Sequence, residues 1–150
     1  MAIKIGITAD HKGYNIKQNV LKFLEKEGYI VKDYGTNSEK SVDFVDFGIK
    51  LSNALINKNI DLGIAFCGTG IGMSIICNKI KGVYCAKIDN VSEAFLAKNH
   101  NRANIISLNS SKNFDEIKEI ITEFLRSSYS NEERHLRRIE KIKNYEDKLK

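Results

Sequence analysis

The sequence contains no proline, and none of its apolar runs approaches the length of about 20 residues that a membrane-spanning helix needs. Its first residues lead directly into a strand pattern and lack the layout of a signal peptide. No internal repeat, low-complexity stretch or linker interrupts the 150 residues, a length that corresponds to about one domain. We therefore predict a single cytoplasmic domain over residues 1–150, without a membrane partner.

Cysteine is scarce, since only Cys67, Cys77 and Cys85 are present, and no Cys-x-x-Cys pair occurs among them. An odd count without such a pair argues against a disulfide framework and against a zinc site. The three histidines add no metal-ligand spacing, so we predict no bound metal. Cys77 and Cys85 lie in apolar surroundings and are expected to be small buried hydrophobic residues. Only Cys67 has neighbours that could activate a thiol.

Charge of one sign is not concentrated anywhere in the chain. The net charge is +5, and no block of like charge stands out. This distribution gives little support to nucleic-acid binding. A modest positive field is suited to a small phosphorylated substrate.

Five short apolar runs are typical of strands, and apolar residues recur at helical spacing between them. The predicted strands cover residues 3–9, 29–34, 61–66, 83–88 and 104–108. Three helix starts carry a residue pair typical of a capping box: Asn90 with Glu93, Asn113 with Glu116, and Ser130 with Glu133. The alternation predicts an α/β fold, a Rossmann-like three-layer sandwich with a five-stranded parallel sheet and helices on both faces.

A further helix is predicted over residues 131–150, after the five strands and their helices. Its apolar positions are Leu136, Ile139 and Ile142, and its other faces are strongly charged. An apolar stripe on an appended helix must be buried against some surface, and a second chain is a suitable one. We therefore expect this C-terminal helix to pack on a partner chain, or else to lie along the surface.

Residues 64–72 form the stretch around which the chain is organised, because an apolar strand there ends at Cys67 and a glycine loop follows. Glycine at positions 68, 70 and 72 allows positive φ and a close approach of the backbone to a bound group. Successive N–H groups of such a loop can hold an anion, and Thr69 adds a hydroxyl donor. A cysteine at the head of the loop lies in a field that favours the thiolate. The stretch therefore offers a base or nucleophile beside donors for developing negative charge.

Other uses of a glycine-rich turn remain open from these residues alone. Glycine-rich turns after strands are common and usually only reverse the chain. A dinucleotide fingerprint needs Gly-x-Gly-x-x-Gly after the first strand, whereas this loop lies in mid-chain and Met73 follows Gly72. A phosphate loop of nucleoside triphosphatases would need Gly-Lys-Ser or Gly-Lys-Thr, which is absent. Both nucleotide-binding interpretations are therefore weak.

Polar residues cluster where the predicted strands end. Asp10 and His11 follow the first strand, and the loop from Cys67 follows the third. Ligands of open parallel sheets bind at the carboxyl ends of the strands, so these two clusters are expected to meet there. His100 and Asn101 come just before the fifth strand, and we expect His100 to reach the same edge of the sheet.

Several candidate site residues could also have ordinary structural roles. Arg134 and Arg138 are four positions apart and share one helix face, where their planar forks would suit phosphate oxygens. Such a pair is nevertheless more often part of a solvated face. His11 and His100 could be ordinary polar residues at helix ends, and Asp10 could merely cap the first helix. His135 is assigned no role, since its neighbours in sequence do not indicate one.

Taken together, five motifs resemble those of the B-type ribose-5-phosphate isomerases, a family that includes the galactose-6-phosphate isomerase subunits. The motifs are Asp10-His11-Lys12-Gly13, Cys67-Gly68-Thr69-Gly70-Ile71-Gly72, Asn78-Lys79, His100-Asn101 and Arg134-His135-x-x-Arg138. They extend from residue 10 to residue 138 in family order. The resemblance implies an enzyme that interconverts an aldose phosphate and a ketose phosphate without a metal or organic cofactor.

The resemblance also implies roles for individual residues. Cys67 would be the base that moves a proton between C1 and C2, and Thr69 with the amides of residues 70–72 would hold the enediolate oxygens. His100, with Asp10 nearby, would open the furanose ring. The remaining substrate-binding positions would be His11, Arg134 and Arg138 for the phosphate, Asn101 for sugar hydroxyls, and Gly68, Gly70, Ile71 and Gly72 of the loop. Members of the family are dimers with sites shared between the chains, and a tetramer is possible.

Two positions depart from the family pattern. Many members carry a tyrosine and a proline where this chain has Phe44 and Val45. A hydroxyl that contacts the sugar is therefore missing, and the choice of sugar stays open. The candidates are ribose 5-phosphate, a hexose 6-phosphate such as allose or galactose 6-phosphate, or a phosphate-binding module without catalysis. Because the region after the loop holds Met73 and Ser74 and no acidic residue, the chain matches the cysteine branch of the family.

Overall fold

The structure is a computed structural model that describes residues 2–149. The outermost residues of the predicted domain, Met1 and Lys150, lie outside the described residues. The elements follow one another as β1 (Lys4–Ala9), α1 (Tyr14–Lys26), β2 (Ile30–Asp33), α2 (Phe44–Ile56), β3 (Leu62–Cys67), α3 (Ile71–Cys77), β4 (Cys85–Lys87), α4 (Val91–Asn101), β5 (Ile105–Asn109), α5 (Phe114–Arg126) and α6 (Glu133–Glu146).

The five strands form one parallel sheet in the order β2-β1-β3-β5-β4. In its register Ile5 pairs with Leu62, and Ile64 pairs with Ile106. Alternate residues of a strand point to opposite faces, so Phe66 joins the core beneath α1, α4 and α5, whereas Cys67 joins the core beneath α2 and α3. The predicted α/β architecture, with helices on both faces of a five-stranded parallel sheet, is confirmed.

The strand order creates a crevice at the carboxyl edge of the sheet. From β1 the chain crosses to β2 on one side, and β3 lies on the other side of β1. The loops that leave β1 and β3 therefore diverge, one into α1 on one face and the other into α3 on the opposite face. Crevices at such switch points are where open α/β sheets bind ligands. The loops at residues 10–13 and 68–70 border this crevice.

Several predicted element ends shift by a few residues. The third helix begins at Ile71, directly after Gly70, whose left-handed conformation (φ 83°) turns the chain into the helix. It ends at Cys77, after which the side chain of Asn78 bonds to the backbone N–H and C=O of Cys85, both at 2.8 Å. The strand that follows, β4, covers only Cys85–Lys87, whereas residues 83–88 were predicted.

The predicted caps are confirmed for two helices and wrong for the last. Asn90 Oδ1 accepts from the N–H of Glu93 at 2.8 Å, as predicted, whereas Asn113 caps α5 through the N–H of Asp115 and not through its predicted partner Glu116. The predicted cap residue Ser130 lies too early, because α6 starts at Glu133 after a cap position at Glu132. The hydroxyl of Ser130 instead accepts from the N–H of Glu132 and lies near His135, as described below.

Helix α6 packs in part on its own chain. Ile139 is buried and α6 contacts α4, while the far end is held by Glu146, whose carboxylate accepts from the N–H of Gly82 at 3.1 Å. Leu136 and Ile142 remain 39% and 46% exposed. Part of the apolar stripe is therefore uncovered, and its packing on a partner chain stays a prediction. Within residues 2–149 no helix is both long and apolar enough to cross a membrane.

Candidate active site

The crevice at the carboxyl edge contains a pocket of about 300 Å³. Its lining includes the residues predicted to follow the first and third strands, namely Asp10, His11, Cys67, Gly68, Thr69 and Gly72, together with Lys12, Val42, Asp43 and Phe44. A larger groove of about 820 Å³ runs between α1 and α5 but contains none of the predicted site residues. The chemistry therefore concentrates in the smaller pocket.

Cys67 is the last residue of β3, and only 4% of it is exposed. The N–H of Gly70 donates to its Sγ at 3.2 Å, so the loop folds back onto the thiol. Gly70 adopts a left-handed φ, and a Cβ there would lie 3.1 Å from the carbonyl carbon of Leu108. Only glycine meets both conditions without strain. An amide donor at this place stabilises negative charge on the sulfur.

Some N–H groups of the glycine loop donate to acceptors within the loop itself and not to a ligand. The N–H of Ile71 donates to Thr69 Oγ1 at 3.1 Å, and the hydroxyl of Ser107 donates to the carbonyl of Gly70. Two of the three amides predicted to face a ligand, those of Gly70 and Ile71, thus bond to Cys67 and Thr69 in this structure. Because its oxygen already accepts, the hydroxyl of Thr69 is free to direct its proton towards a ligand.

The loop after β1 presents one carboxylate and one imidazole to the pocket. Asp10 is buried, and its Oδ1 accepts from the N–H groups of Lys12 and Gly13 at 3.0 and 3.1 Å. Its simpler role, holding the turn that starts α1, is therefore present in the structure. The Nδ1 of His11 accepts from the N–H of Val42 at 3.1 Å, which leaves Nε2 as the protonated nitrogen and donor of the neutral ring.

Lys12 and Phe44 complete the pocket, although neither was predicted as a site residue. A Cβ built on Gly68 would lie 3.0 Å from Cδ and 3.6 Å from Nζ of Lys12, so the lysine extends across that glycine. Within the described residues, no carboxylate lies within 4.0 Å of its Nζ. The ring of Phe44 packs on Gly72, where a Cβ would come within 2.7 Å of it. Among residues 2–149, Lys12 is thus a cation without a carboxylate partner, and it lines the same pocket as Cys67.

His100 and Asn101 do not join this pocket in the same chain. They form the end of α4, and the carbonyl of Asn104, just beyond them, accepts from the N–H of Gly63 at the start of β3. Cys67 lies four residues further along β3, about 13 Å away at about 3.3 Å per residue. The prediction that His100 lies at the same edge of the sheet as Cys67 is wrong within one chain. Since the strands are parallel, the helix before β5 must run back to the amino edge.

A second group of predicted residues gathers at the amino edge, where α6 begins beside the end of α4. Arg134 and Arg138 are exposed on α6, and Nη2 of Arg134 lies 2.9 Å from the carboxylate of Glu132. The ring of His135 stacks on that of His100, with centroids 4.1 Å apart and planes 26° from parallel. Burial and the nearby His100 lower the pKa of His135. We call His100, Asn101, Arg134, His135 and Arg138 the amino-edge group.

The other two cysteines lie outside both groups. Cys77 is fully buried, as predicted, and its Sγ lies 3.7 Å from the carbonyl oxygen of Gly48. Cys85 packs against the same core but is only half-buried, because it lies on the edge strand β4, so the expectation of a buried residue holds for it only in part. Among residues 2–149, no three histidine, cysteine, aspartate or glutamate side chains are grouped as a metal site would require.

Comparison with known proteins agrees with the fold and with the motifs. The sequence model described as Ribose/Galactose Isomerase matches residues 5–142. Ribose-5-phosphate isomerase B of Escherichia coli is 31% identical over 140 residues, with 93% of each chain covered. The chain therefore belongs to the Ribose/Galactose Isomerase family, and it is a sugar-phosphate isomerase.

Solved structures of the same kind superpose closely. Ribose-5-phosphate isomerase B of Clostridium thermocellum matches with a TM-score of 0.94 and 40% identity, over 97% of this chain and 99% of the other. The enzyme of Mycoplasma genitalium, solved with bound ribulose 5-phosphate, matches with a TM-score of 0.93 and 34% identity, over 99% of each chain. The likeness covers the whole sheet, all six helices of the described part, and both groups of candidate residues.

Proposed function

We propose that this enzyme interconverts ribose 5-phosphate and ribulose 5-phosphate, with Cys67 as the proton-transfer base. The observation that carries the proposal is the position of the Cys67 thiol. It accepts a hydrogen bond from the N–H of Gly70 and lies in one pocket with the hydroxyl of Thr69 and the ring of His11. Proton transfer next to a carbonyl needs such a base, together with donors where negative charge develops.

In the proposed reaction the Cys67 thiolate takes the proton from C2 of the open-chain aldose and returns it to C1. The intermediate is an enediolate, and the proton of the C2 hydroxyl passes to the oxygen on C1. Thr69 and the N–H of Gly72, which lies in the first turn of α3 and so has no helical carbonyl four residues before it, would donate to the enediolate oxygens. Gly70 would support the thiolate. No metal or organic cofactor has a part in these steps.

We further propose that each site is completed by a second chain of a homodimer, including residues of the C-terminal helix. The carboxyl-edge pocket contains the base but lacks the arginines, and the amino-edge group contains the arginines and His100 but no base. Since the sheet lies between them, one small substrate cannot touch both groups of the same chain. In a two-fold dimer the pocket of each chain can face the amino-edge group of the other. The exposed Ile71, Ile75, Leu136 and Ile142 are apolar surface that such an interface would cover.

In that shared site, the partner's groups would act on the sugar ring and the phosphate. Arg134 and Arg138 would bind the phosphate together with the Nε2 donor of His11, and Asn101 would bind sugar hydroxyls. The partner's His100 would open the furanose ring near Asp10. The net charge of +5 also attracts an anionic substrate such as a sugar phosphate.

A hexose 6-phosphate is the second candidate substrate, because the pocket wall at Phe44 is apolar and offers no hydroxyl to the sugar. The test is a coupled assay on ribose, allose and galactose phosphates at equal concentrations. We expect the highest kcat/KM for ribose 5-phosphate. A higher value for either hexose phosphate would replace the pentose in this proposal, and an absence of turnover on all three would mean that the pocket binds phosphate without catalysis.

Replacement of Lys12 tests the same pocket through a smaller expected effect, a change in KM. Replacing Lys12 with methionine removes the unpaired cation beside Gly68, and we expect KM for ribose 5-phosphate to rise roughly two- to tenfold. The change should be larger at low than at high ionic strength, because salt screens an exposed charge. Lys22→Met, on an exposed face of α1, changes the net charge equally and is the control. Equal KM values for both variants would show that Lys12 does not contact the substrate.

A further inference from the structure

His100 and His135 form a stacked pair of titratable groups outside the carboxyl-edge pocket, with ring centroids 4.1 Å apart. Only 6% of the His135 side chain is exposed, and its Nδ1 lies 2.7 Å from the hydroxyl of Ser130. Ser130 in turn donates its N–H to the carbonyl of Asn99, next to His100. The ring of His135 is therefore fixed relative to the end of α4 by stacking, by the hydroxyl and by the backbone.

We propose that His135 is a positioning residue for His100: its stacked ring, 4.1 Å away between centroids, sets the orientation of the His100 imidazole and disfavours a positive charge on both rings at once. The inference rests on the proposed function in so far as His100 serves ring opening. An imidazole that opens a sugar ring must both accept and give a proton. A pair that disfavours a second positive charge keeps one of its rings neutral while the other is charged.

The charges around the pair support this reading. On α6, Arg134 and Arg138 flank His135 and oppose its protonation, as does His100 on α4. One carboxylate, Glu132, lies 3.9 Å from Nδ1 of His135 and favours the charged form, but it is also paired with Arg134. Burial is the largest cause that lowers the pKa of His135, and these positive charges act in the same direction. Phe95 faces His100 with its ring edge, at 6.3 Å between centroids, and adds no charge.

The first test is an NMR titration of the ring C–H signals in the intact protein, which has three histidines. In the unaltered chain we expect the pair to titrate in two steps separated by roughly one pH unit or more. In His135→Phe the flat ring remains without a titrating group, and the His100 signal should titrate in a single step. In His100→Phe the pKa of His135 should rise, because the charge of His100, one of the causes that lower this pKa, is removed. Rings that titrate independently of each other's replacement would overturn the proposal.

The second test measures turnover of ribose 5-phosphate by two variants of His135. His135→Phe keeps the stacked ring and should lower kcat less than His135→Ala, which releases the His100 ring and should lower kcat about tenfold or more. KM should change little in both variants, because neither removes a phosphate contact. Equal losses in both would overturn the positioning role. Should His135→Phe fail to fold, His135→Gln keeps a hydrogen-bonding group for Ser130 and replaces it in the titration.

The two tests separate this inference from the proposed function. Coupled titration in a protein that turns over no sugar phosphate would support the proton-sharing pair and refute the proposed reaction. Normal turnover with uncoupled rings would refute the pair and leave the reaction in place.

Discussion

Replacing Cys67 with alanine is expected to lower the isomerisation rate roughly 10²–10⁴-fold, the usual contribution of a positioned general base. The loss should fall on kcat, because the substrate contacts of the pocket and of the amino-edge group remain. The fold should survive, since alanine fills most of the space of a small buried side chain at the end of β3. The measurement is the coupled assay with ribose 5-phosphate, accompanied by a thermal unfolding curve for each variant.

Two control variants make this result specific for the thiol as a base. Cys67→Ser keeps an acceptor for the N–H of Gly70, but a hydroxyl is a far weaker nucleophile and base, so it should be nearly as inactive as alanine. Cys77→Ala removes a buried thiol from the same core but outside the pocket. It should cost about 1 kcal/mol of unfolding free energy and keep its turnover. Near wild-type turnover by Cys67→Ala would refute the assignment of the base.

The elements of the fold could be predicted because their signals are local. Apolar runs such as the one ending at Phe66 and Cys67 are short enough for strands, and the spacing of Ile117, Ile120 and Ile121 belongs to a helix. The strand order β2-β1-β3-β5-β4 has no such signal, because it depends on which strand edges meet in space. Ser130 was misread for a related reason. Its hydroxyl accepts from the N–H of Glu132 and lies 2.7 Å from Nδ1 of His135, and the helix begins at Glu133.

The candidate site could be predicted only where its residues lie close together in sequence. The loop from Cys67 to Gly72 and the turn at Asp10 and His11 were located from their order after strands. The position of His100 was predicted wrongly, although the signal was present: a helix between parallel strands always ends at the amino edge. The contact of His135 with His100 joins residues that are distant in sequence, and no local pattern indicates it. The reach of Lys12 across Gly68 likewise depends on the folded loop.

Mixing two inactive variants is expected to restore activity if the two groups of residues belong to different chains of one site. Cys67→Ala damages the carboxyl-edge pocket, and Arg138→Ala damages the amino-edge group. In a mixed dimer one site combines both lesions and the other combines none. Random exchange of subunits makes about half of the dimers mixed, so the rate should recover to roughly a quarter of wild type. Cys67→Ala mixed with His100→Ala should recover to the same extent.

The matched control is a mixture of His100→Ala with Arg138→Ala, whose lesions lie in the same group of residues. Every site of that mixed dimer carries one lesion, so no recovery is expected. Exchange itself is measured with a charge-tagged chain, by counting the mixed species on an ion-exchange column. If exchange is demonstrated and the Cys67→Ala mixtures stay at the level of their parents, then each chain must build its own site. In that case α4 and α6 would have to move for His100 and the arginines to reach the thiol, since the sheet separates them in the structure.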